Sequence, residues 1–282
     1  MSVAVVTDST AYLPADLVRA SGITVVPLSV VINGVEGREG REVTPADVAR
    51  ALGARRHTVT TSRPSPAEFE AVYRGLLNAG ATGVVSVHLS GALSGTCEAA
   101  ERSAAEIGNA VSVVDSRSTG MGLGFPVLAA AAAAGEGADR RAVRVAAVAA
   151  IDRTSTFFYV DTLEFLRRGG RIGAASALVG TALSVKPILH VVDGSIVLRD
   201  KVRTASRALA RLVDLAVEAA ADGDVDIAVH HLDAPERAAT LQEQLDLRLG
   251  ARVRSWRVTE LGAAVAAHVG PGLAAVVVHR RP

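Results

Sequence analysis

Aromatic side chains are scarce in this sequence, at 3% of 282 residues, although hydrophobic residues make up 49%. A core built under that restriction consists of Ala, Val and Leu, and any wide apolar pocket in it is aliphatic. Cysteine is nearly absent too. A single Cys excludes an internal disulfide and any cysteine-based metal cluster. No sign of charge dominates, since 30 Lys and Arg stand against 29 Asp and Glu. With no basic run and few rings for bases to stack on, nucleic acid is not expected as a partner. The longest apolar run, Val127 to Ala134, is too short to cross a bilayer, so no integral membrane segment is expected. The start Met1-Ser2-Val3-Ala4-Val5-Val6 enters a strand directly, without a basic leader or cleavage site, which points to a cytoplasmic protein.

What is present is a long alternation of strand and helix signals. Strands are expected at Val3–Thr7, Thr24–Ile32, Val84–His88 and Val111–Val114. Helices are expected at Pro14–Ala20, Pro45–Leu52, Pro66–Ala79, Cys97–Ile107 and Pro126–Ala134. Several open with Pro just after Thr or Ser, the chemistry of a helix start. Such alternation predicts a mostly parallel sheet covered by helices on both faces. After the Ala-rich stretch near 126–150 the pattern changes. Asp193-Gly194 joins Ile188–Val192 to Ser195–Val202 as a hairpin, because that pair supplies the positive φ of a tight primed turn. Strands at Thr156–Val160, Asp226–His231, Val253–Arg257 and Ala274–His279 mix with helices at Thr162–Arg168, Ser206–Ala221 and Ala234–Leu249. The expected fold class is α/β with two domains: a parallel-sheet domain over 1–150 and an α+β domain with a mixed sheet over 151–282.

Polar residues gather where strands of the first half end: Asp8-Ser9-Thr10, Ser90 to Thr96, and Asp115 to Ser118. Of these, Ser90-Gly91-Ala92-Leu93-Ser94-Gly95-Thr96 leads from a buried strand into a helix. A helix's first turn leaves N–H groups unpaired and carries the positive end of the dipole. Ser94 and Thr96 add hydroxyls there, so an anion would be well received. The loop lacks the Lys of a nucleotide-phosphate loop, which points to a carboxylate or a single phosphate. Simple helix capping by the two hydroxyls accounts for the same residues. A second hydroxyl-rich loop, Thr60-Thr61-Ser62-Arg63-Pro64-Ser65, precedes the helix at Pro66; Ser65 reads as its cap, and Thr61 and Ser62 read either as site or as turn residues. His268, ahead of Gly270-Pro271-Gly272, would be held in a defined place, where it could contact an anion or exchange a proton near neutral pH. Arg171 lies past the Gly169-Gly170 pair; with Arg199, Lys201 and Arg203, which share a strand face at period 2, it forms either a basic patch or a solvated face.

Other motifs fail. His230 and His231 point to opposite faces of one strand and cannot share a metal. No Gly-x-Ser-x-Gly elbow or His-Glu-x-x-His is present. Gly120-Met121-Gly122-Leu123-Gly124 has the wrong last spacing for a dinucleotide loop. Cys97, in a helix's first turn where a thiol can be acidified, has no evident partner base, so packing is its expected role.

Eight segments in register give the chain a family likeness: Val5-Val6-Thr7-Asp8-Ser9-Thr10, Thr61-Ser62-Arg63-Pro64-Ser65, Leu93-Ser94-Gly95-Thr96, Val114-Asp115-Ser116, Leu163 to Ile172, Lys186-Pro187-Ile188-Leu189, Lys201-Val202-Arg203-Thr204, and His268 to Gly272. Together the sequence resembles the DegV family of bacterial proteins, including the fatty-acid-binding subunits of bacterial fatty acid kinase. The resemblance implies a long-chain fatty acid buried between two domains, with Thr61, Ser62, Ser94 and His268 at its carboxyl group. It implies no cofactor beyond that ligand and no stand-alone catalysis. A separate fatty acid kinase catalytic subunit would phosphorylate the carboxylate, with Arg171, Arg203 and His268 supporting its docking or the phosphoryl transfer. The sequence departs from the family in Arg63, where Gln is expected, and in Cys97-Glu98, where an aromatic often follows Thr96. A competing reading is an enzyme acting on a small carboxylated or phosphorylated metabolite, with His268 as acid/base.

Overall fold

The computed structural model describes residues 2–54, 58–173, 175 and 185–282. Along the chain run β1 (Ala4–Asp8), α1 (Ala15–Ala20), β2 (Ile23–Val26), β3 (Ser29–Ile32), β4 (Val35–Arg38), α2 (Pro45–Gly53), β5 (Val59–Ser62), α3 (Pro66–Asn78), β6 (Val84–His88), α4 (Thr96–Ile107), β7 (Val111–Asp115), α5 (Met121–Gly135) and α6 (Arg140–Asp152). There follow β8 (Thr154–Tyr159), α7 (Glu164–Arg168), β9 (Lys186–Val192), β10 (Ser195–Val202), α8 (Ala205–Ala220), β11 (Val225–His231), α9 (Pro235–Leu249), β12 (Val253–Glu260), α10 (Ala263–Val269) and β13 (Ala274–Arg280).

These elements form two compact units, 1–29 with 62–152, and 30–61 with 153–282. The chain therefore changes unit after Ser29, Thr61 and Asp152, where the sequence suggested one boundary near 150. The last change lies close to that boundary. The first two escape a compositional reading because residues 30–61 are no poorer in strand and helix formers than their neighbours.

The first unit carries a sheet of order β2-β1-β6-β7, every pair parallel. Its central strand β6 is buried at every residue, as expected of a strand covered on both faces. On one face Val5, Val85 and Val87 pack with Leu123, Val127 and Ala130 of α5 and Val143 and Ala147 of α6. On the other, Val6 and Val84 meet Phe69 and Tyr73 of α3 and Ala99 and Ala100 of α4. The α3 start is a capping box: Ser65 Oγ accepts from the Glu68 amide while Glu68 accepts from the Ser65 amide. Thr44 and Asp47 do the same for α2.

The second unit carries a mixed sheet of order β10-β9-β8-β13-β11-β12, with β11 and β12 parallel and the other pairs antiparallel. Leu209, Leu212 and Leu215 of α8 and Leu241 and Leu245 of α9 join Ile188, Ile227, Val229, Val276 and Val278 in its core. The β9–β10 hairpin turns at Asp193 and Gly194 with φ of 47° and 83°, the primed turn that the Asp-Gly pair dictates. A small sheet of order β4-β3-β5 completes this unit.

Four local expectations change. Thr24–Ile32 is two strands, because Pro27 has no N–H for a ladder and the Leu28 amide turns to Ser9 Oγ at 3.0 Å. Thr60 to Ser62 belong to β5 rather than to a loop. The helix expected from Pro126 begins at Met121, with Pro126 inside it. In the Gly120–Gly124 run, Gly124 serves close packing: a Cβ there would lie 3.0 Å from the Ala11 carbonyl oxygen. Finally, α6 and α10 are helices that sequence reading did not resolve from their Ala-rich surroundings.

Candidate functional site

At the C-terminal edge of the parallel sheet, His88 of β6 lies opposite Asp115 of β7, and the strand ends at Asp8, His88 and Asp115 stand in series as the sequence suggested. Asp8 is fully occupied. Its Oδ1 accepts from the Thr10 amide at 3.0 Å and the Thr10 hydroxyl at 2.6 Å. Its Oδ2 accepts from the Leu89 amide and pairs with His88 Nδ1, both at 3.0 Å. With a carboxylate on Nδ1, that nitrogen carries the proton and Nε2 accepts from Ser86 Oγ at 2.7 Å. Tyr73 in turn donates to Ser86 Oγ at 2.9 Å. Burial pushes the Tyr73 hydroxyl pKa well up, so it remains a donor. Ser86, His88 and Asp8 have the order of a hydrolytic triad, yet all three are at 0% exposure and no substrate can reach the serine. The chain of bonds instead anchors the start of the loop after β6. Sequence reading missed it, although the buried alternation of Ser86 and His88 on a strand of valines was its signature.

That loop presents Ser94. Its backbone is fixed by Leu93 and Ser94 amides donating to the Ser90 carbonyl, each at 3.0 Å, and by Ser90 N–H donating to the Ser118 carbonyl at 2.8 Å. Ser94 Oγ lies 2.9 Å from Thr96 Oγ1 and accepts from the Thr96 amide at 3.3 Å. Gly95, the cap residue of α4, supplies no side-chain cap. These are the bonds of the capping reading: Ser94 holds one first-turn amide of α4, Thr96 is buried, and the Ser94 hydroxyl is half-buried at the helix start. Arg63 ties this loop to the Ser62 segment, with Nη1 donating to the Gly95 carbonyl at 3.2 Å and to Glu98 Oε2 at 3.0 Å. A Cβ on Gly95 would displace the Arg63 guanidinium from this position. The two departures from the family pattern, Arg63 and Glu98, are therefore partners. Ser62 Oγ donates to its neighbour's carbonyl, Arg63 O, at 3.5 Å. Cys97 is buried, which pushes its thiol up to about 12 with help from the negative Asp115, Glu101 and Asp8, so it packs rather than reacts.

In the second unit, Thr61 Oγ1 and His268 Nε2 are hydrogen-bonded at 2.8 Å. His268 sits in the last turn of α10, which Gly270 ends at φ 72°. Its ring lies against Gly169, where any side chain would collide with it, and Arg171 Nη1 donates to the Gly169 carbonyl at 2.5 Å. Burial, and then the charge of Arg171, lower the His268 pKa to about 4, so the imidazole is neutral at pH 7. Its Nδ1 is buried without a hydrogen-bond partner among the described residues. A neutral ring bonded to a hydroxyl has one donor left in either tautomer. If Nε2–H donates to Thr61, the Thr61 O–H is free; if Thr61 donates, Nδ1–H is free.

The turn after His268 is fixed by a polar cluster. Asp161 accepts from Tyr159 and from Arg237 Nη1, the latter at 3.0 Å, and pairs with Lys186 Nζ at 3.4 Å. Burial alone would raise the Asp161 pKa, but bonds from Tyr159 and Arg237 and the charges of Arg237 and Lys186 hold it below the usual value. Arg237 also donates to the Gly272 carbonyl.

The basic strand differs from its period-2 reading. A register shift between Leu198 and Asp200 makes Arg199 a bulge residue. Arg199 lies 3.9 Å from Glu218 of α8, and Asp200 pairs with Arg211 of α8, so Lys201 is on the opposite face. Arg203 lies exposed just past β10. His230 bonds Thr259 at 2.8 Å. Among the described residues no group of acidic, His and Cys side chains could hold a metal, and no helix is long and apolar enough to cross a membrane.

Known proteins match the chain along its length. A family model described as an uncharacterised protein of the DegV family matches residues 2–281. A DegV domain-containing protein of Streptomyces coelicolor is 50% identical over 279 residues, 99% of each chain. The structure of a DegV family protein from Thermus thermophilus, described for its fatty acid binding, has a TM-score of 0.94 at 35% identity and covers 100% of both chains. DegV of Bacillus subtilis, described as a fatty acid binding protein, has a TM-score of 0.90 at 31% identity, again over 100% of both.

Proposed function

Since the chain belongs to the DegV family, we propose that it binds a long-chain fatty acid and presents the carboxyl group to a separate kinase catalytic subunit, which converts it to an acyl phosphate. Thr61, Ser62, Ser94 and His268 contact the carboxyl group; Arg171, Arg203 and His268 serve the kinase or the transferring phosphoryl group. The observation that carries this reading is the half-buried, neutral His268 paired with Thr61, which keeps one uncharged donor to spend. Neutral donors orient a carboxylate without the deep ground-state stabilisation that an arginine clamp would impose. Affinity then comes from the tail. Each buried methylene contributes roughly 0.8 kcal/mol, so about fifteen supply on the order of 10 kcal/mol before the entropic costs of binding. An aliphatic interior with few aromatic residues suits such a tail.

The same observation disfavours the acid/base enzyme. A general base works best with a pKa near the operating pH, and His268 lies well below it, at about 4. Gentle extraction and mass spectrometry of protein purified from a bacterial host test the binding reading. Long-chain fatty acid is expected, and protein free of lipid would overturn the proposal. Ser94→Ala is expected to weaken rebinding several-fold, on the order of one lost hydrogen bond, while the protein stays folded and loses about 1 kcal/mol of stability with the first-turn contacts of α4.

A further inference from the structure

The segment 30–61 and α10 belong to the same unit, and the segment meets α10 at both ends. At the far end, Thr61 bonds His268. At the near end, Glu39 Oε1 accepts from the Ala264 amide at 2.7 Å. Glu39 is only 6% exposed, and Ala264 is also buried. The residue in the cap position, Gly262, has no side chain to offer, so the cap of α10 comes from a residue 225 positions away. Between those ends α2 packs against α10. The turn presenting Glu39 is itself tightly tied. Glu42 and Val43 amides donate to the Arg38 carbonyl at 2.9 and 3.2 Å, Glu42 Oε2 accepts from the Arg38 amide at 2.8 Å, and Glu39 bridges to Val43. Meanwhile α10 has seven residues, two turns, too few to be helical on its own in water.

We infer that Glu39 is a positioning residue for His268: by capping α10 it sets the helix that carries the imidazole onto Thr61. That His268 then serves a fatty acid carboxyl rests on the reading above; the clamp itself does not. A seven-residue helix is about 10 Å long, so Glu39 acts on His268 through the helix rather than by contact.

The test is an NMR titration of the His268 ring in ligand-free full-length protein, assigned by its loss in His268→Ala, alongside binding of vaccenic acid. The sign of the shift separates position from charge. Removing a carboxylate by charge alone lowers a histidine pKa, whereas release from burial raises it. Glu39→Ala is therefore expected to move the midpoint from about 4 toward 6.5 and to weaken vaccenic acid binding about tenfold. Glu39→Gln keeps the carbonyl acceptor and is expected to leave the midpoint at or below that of the wild type, with binding within about twofold. Glu39→Asp, one methylene shorter and milder should the alanine variant fail to fold, is expected to raise the midpoint by a smaller amount. An unchanged or lowered midpoint in both Glu39→Ala and Glu39→Asp would overturn the inference. A raised midpoint with unaltered lipid binding would uphold the clamp and remove His268 from the carboxyl site.

Discussion

His88, buried, and His268, half-buried, are each bonded to a hydroxyl, one in each unit, and they differ in what is left over. Nδ1 of His88 faces the Asp8 carboxylate and its Nε2 faces Ser86, so every ring atom with hydrogen-bonding capacity is occupied. His268 spends Nε2 on Thr61 and keeps Nδ1 without a partner among the described residues. The two rings differ in unspent hydrogen-bonding capacity, and it is on this difference that the proposed role of His268 draws. The serine, histidine and aspartate of the first unit look more like catalytic machinery, yet they are fully buried and spent on one another, whereas the plainer Thr61–His268 pair keeps hydrogen-bonding capacity to spare.

The comparison breaks most visibly at Asp8. Asp8→Ala removes the acceptor of four hydrogen bonds and is expected to cost about 3–5 kcal/mol of unfolding free energy, read by denaturant titration. A loss below about 1 kcal/mol would show that the network is not what fixes the loop after β6.

Next in size is acidification. His230, 2% exposed, is held down at about 4 by burial against the ordinary 6.5. His279 is shifted the same way. A folded-state pKa below the unfolded one means that the unfolded chain takes up protons first. Stability is then complete above pH 6.5 and is lost as pH falls toward 4. The loss is on the order of 3 kcal/mol for one such histidine. Urea midpoints between pH 7 and pH 4.5 follow it, and His230→Gln should flatten the slope; an unaltered slope would assign the acid lability elsewhere.

The smallest effect sharpens the contrast. His268→Ala is expected to cost about 1–2 kcal/mol, because one neutral hydrogen bond and the packing of a half-buried ring are lost. Fatty acid affinity should fall about tenfold, measured by competition binding. A variant that loses stability as Asp8→Ala does, with affinity intact, would make His268 a structural residue like His88.

Much of this was legible along the chain. Thr44-Pro45 and Ser65-Pro66 marked true capping boxes, Asp193-Gly194 a true primed turn, and the polar ends of β1, β6 and β7 do line one edge of the sheet. Thr61, Ser62, Ser94, Arg171 and His268 stood out in or beside loops and Arg203 on a strand, and the structure shows Thr61 and His268 to be partners across 207 positions. Glu39 gave no signal. A lone acid in Gly37-Arg38-Glu39-Gly40 reads as a solvated turn until its burial is seen. Arg199 was misplaced because period 2 holds only while register is unbroken, and a bulge breaks it.

By itself, then, the sequence determined what local chemistry can determine: the alternating pattern that makes a parallel sheet, the caps, the hairpin, and an interior of Ala, Val and Leu. The tertiary structure decided what depends on residues far apart meeting. It assigned 30–61 to the second unit, saturated His88, left Nδ1 of His268 unspent, and capped α10 from Glu39. Backbone preference acts over a few residues and is written in every window of the sequence. Satisfaction of a buried polar atom is a property of the whole fold, because the partner that satisfies it can come from anywhere in the chain.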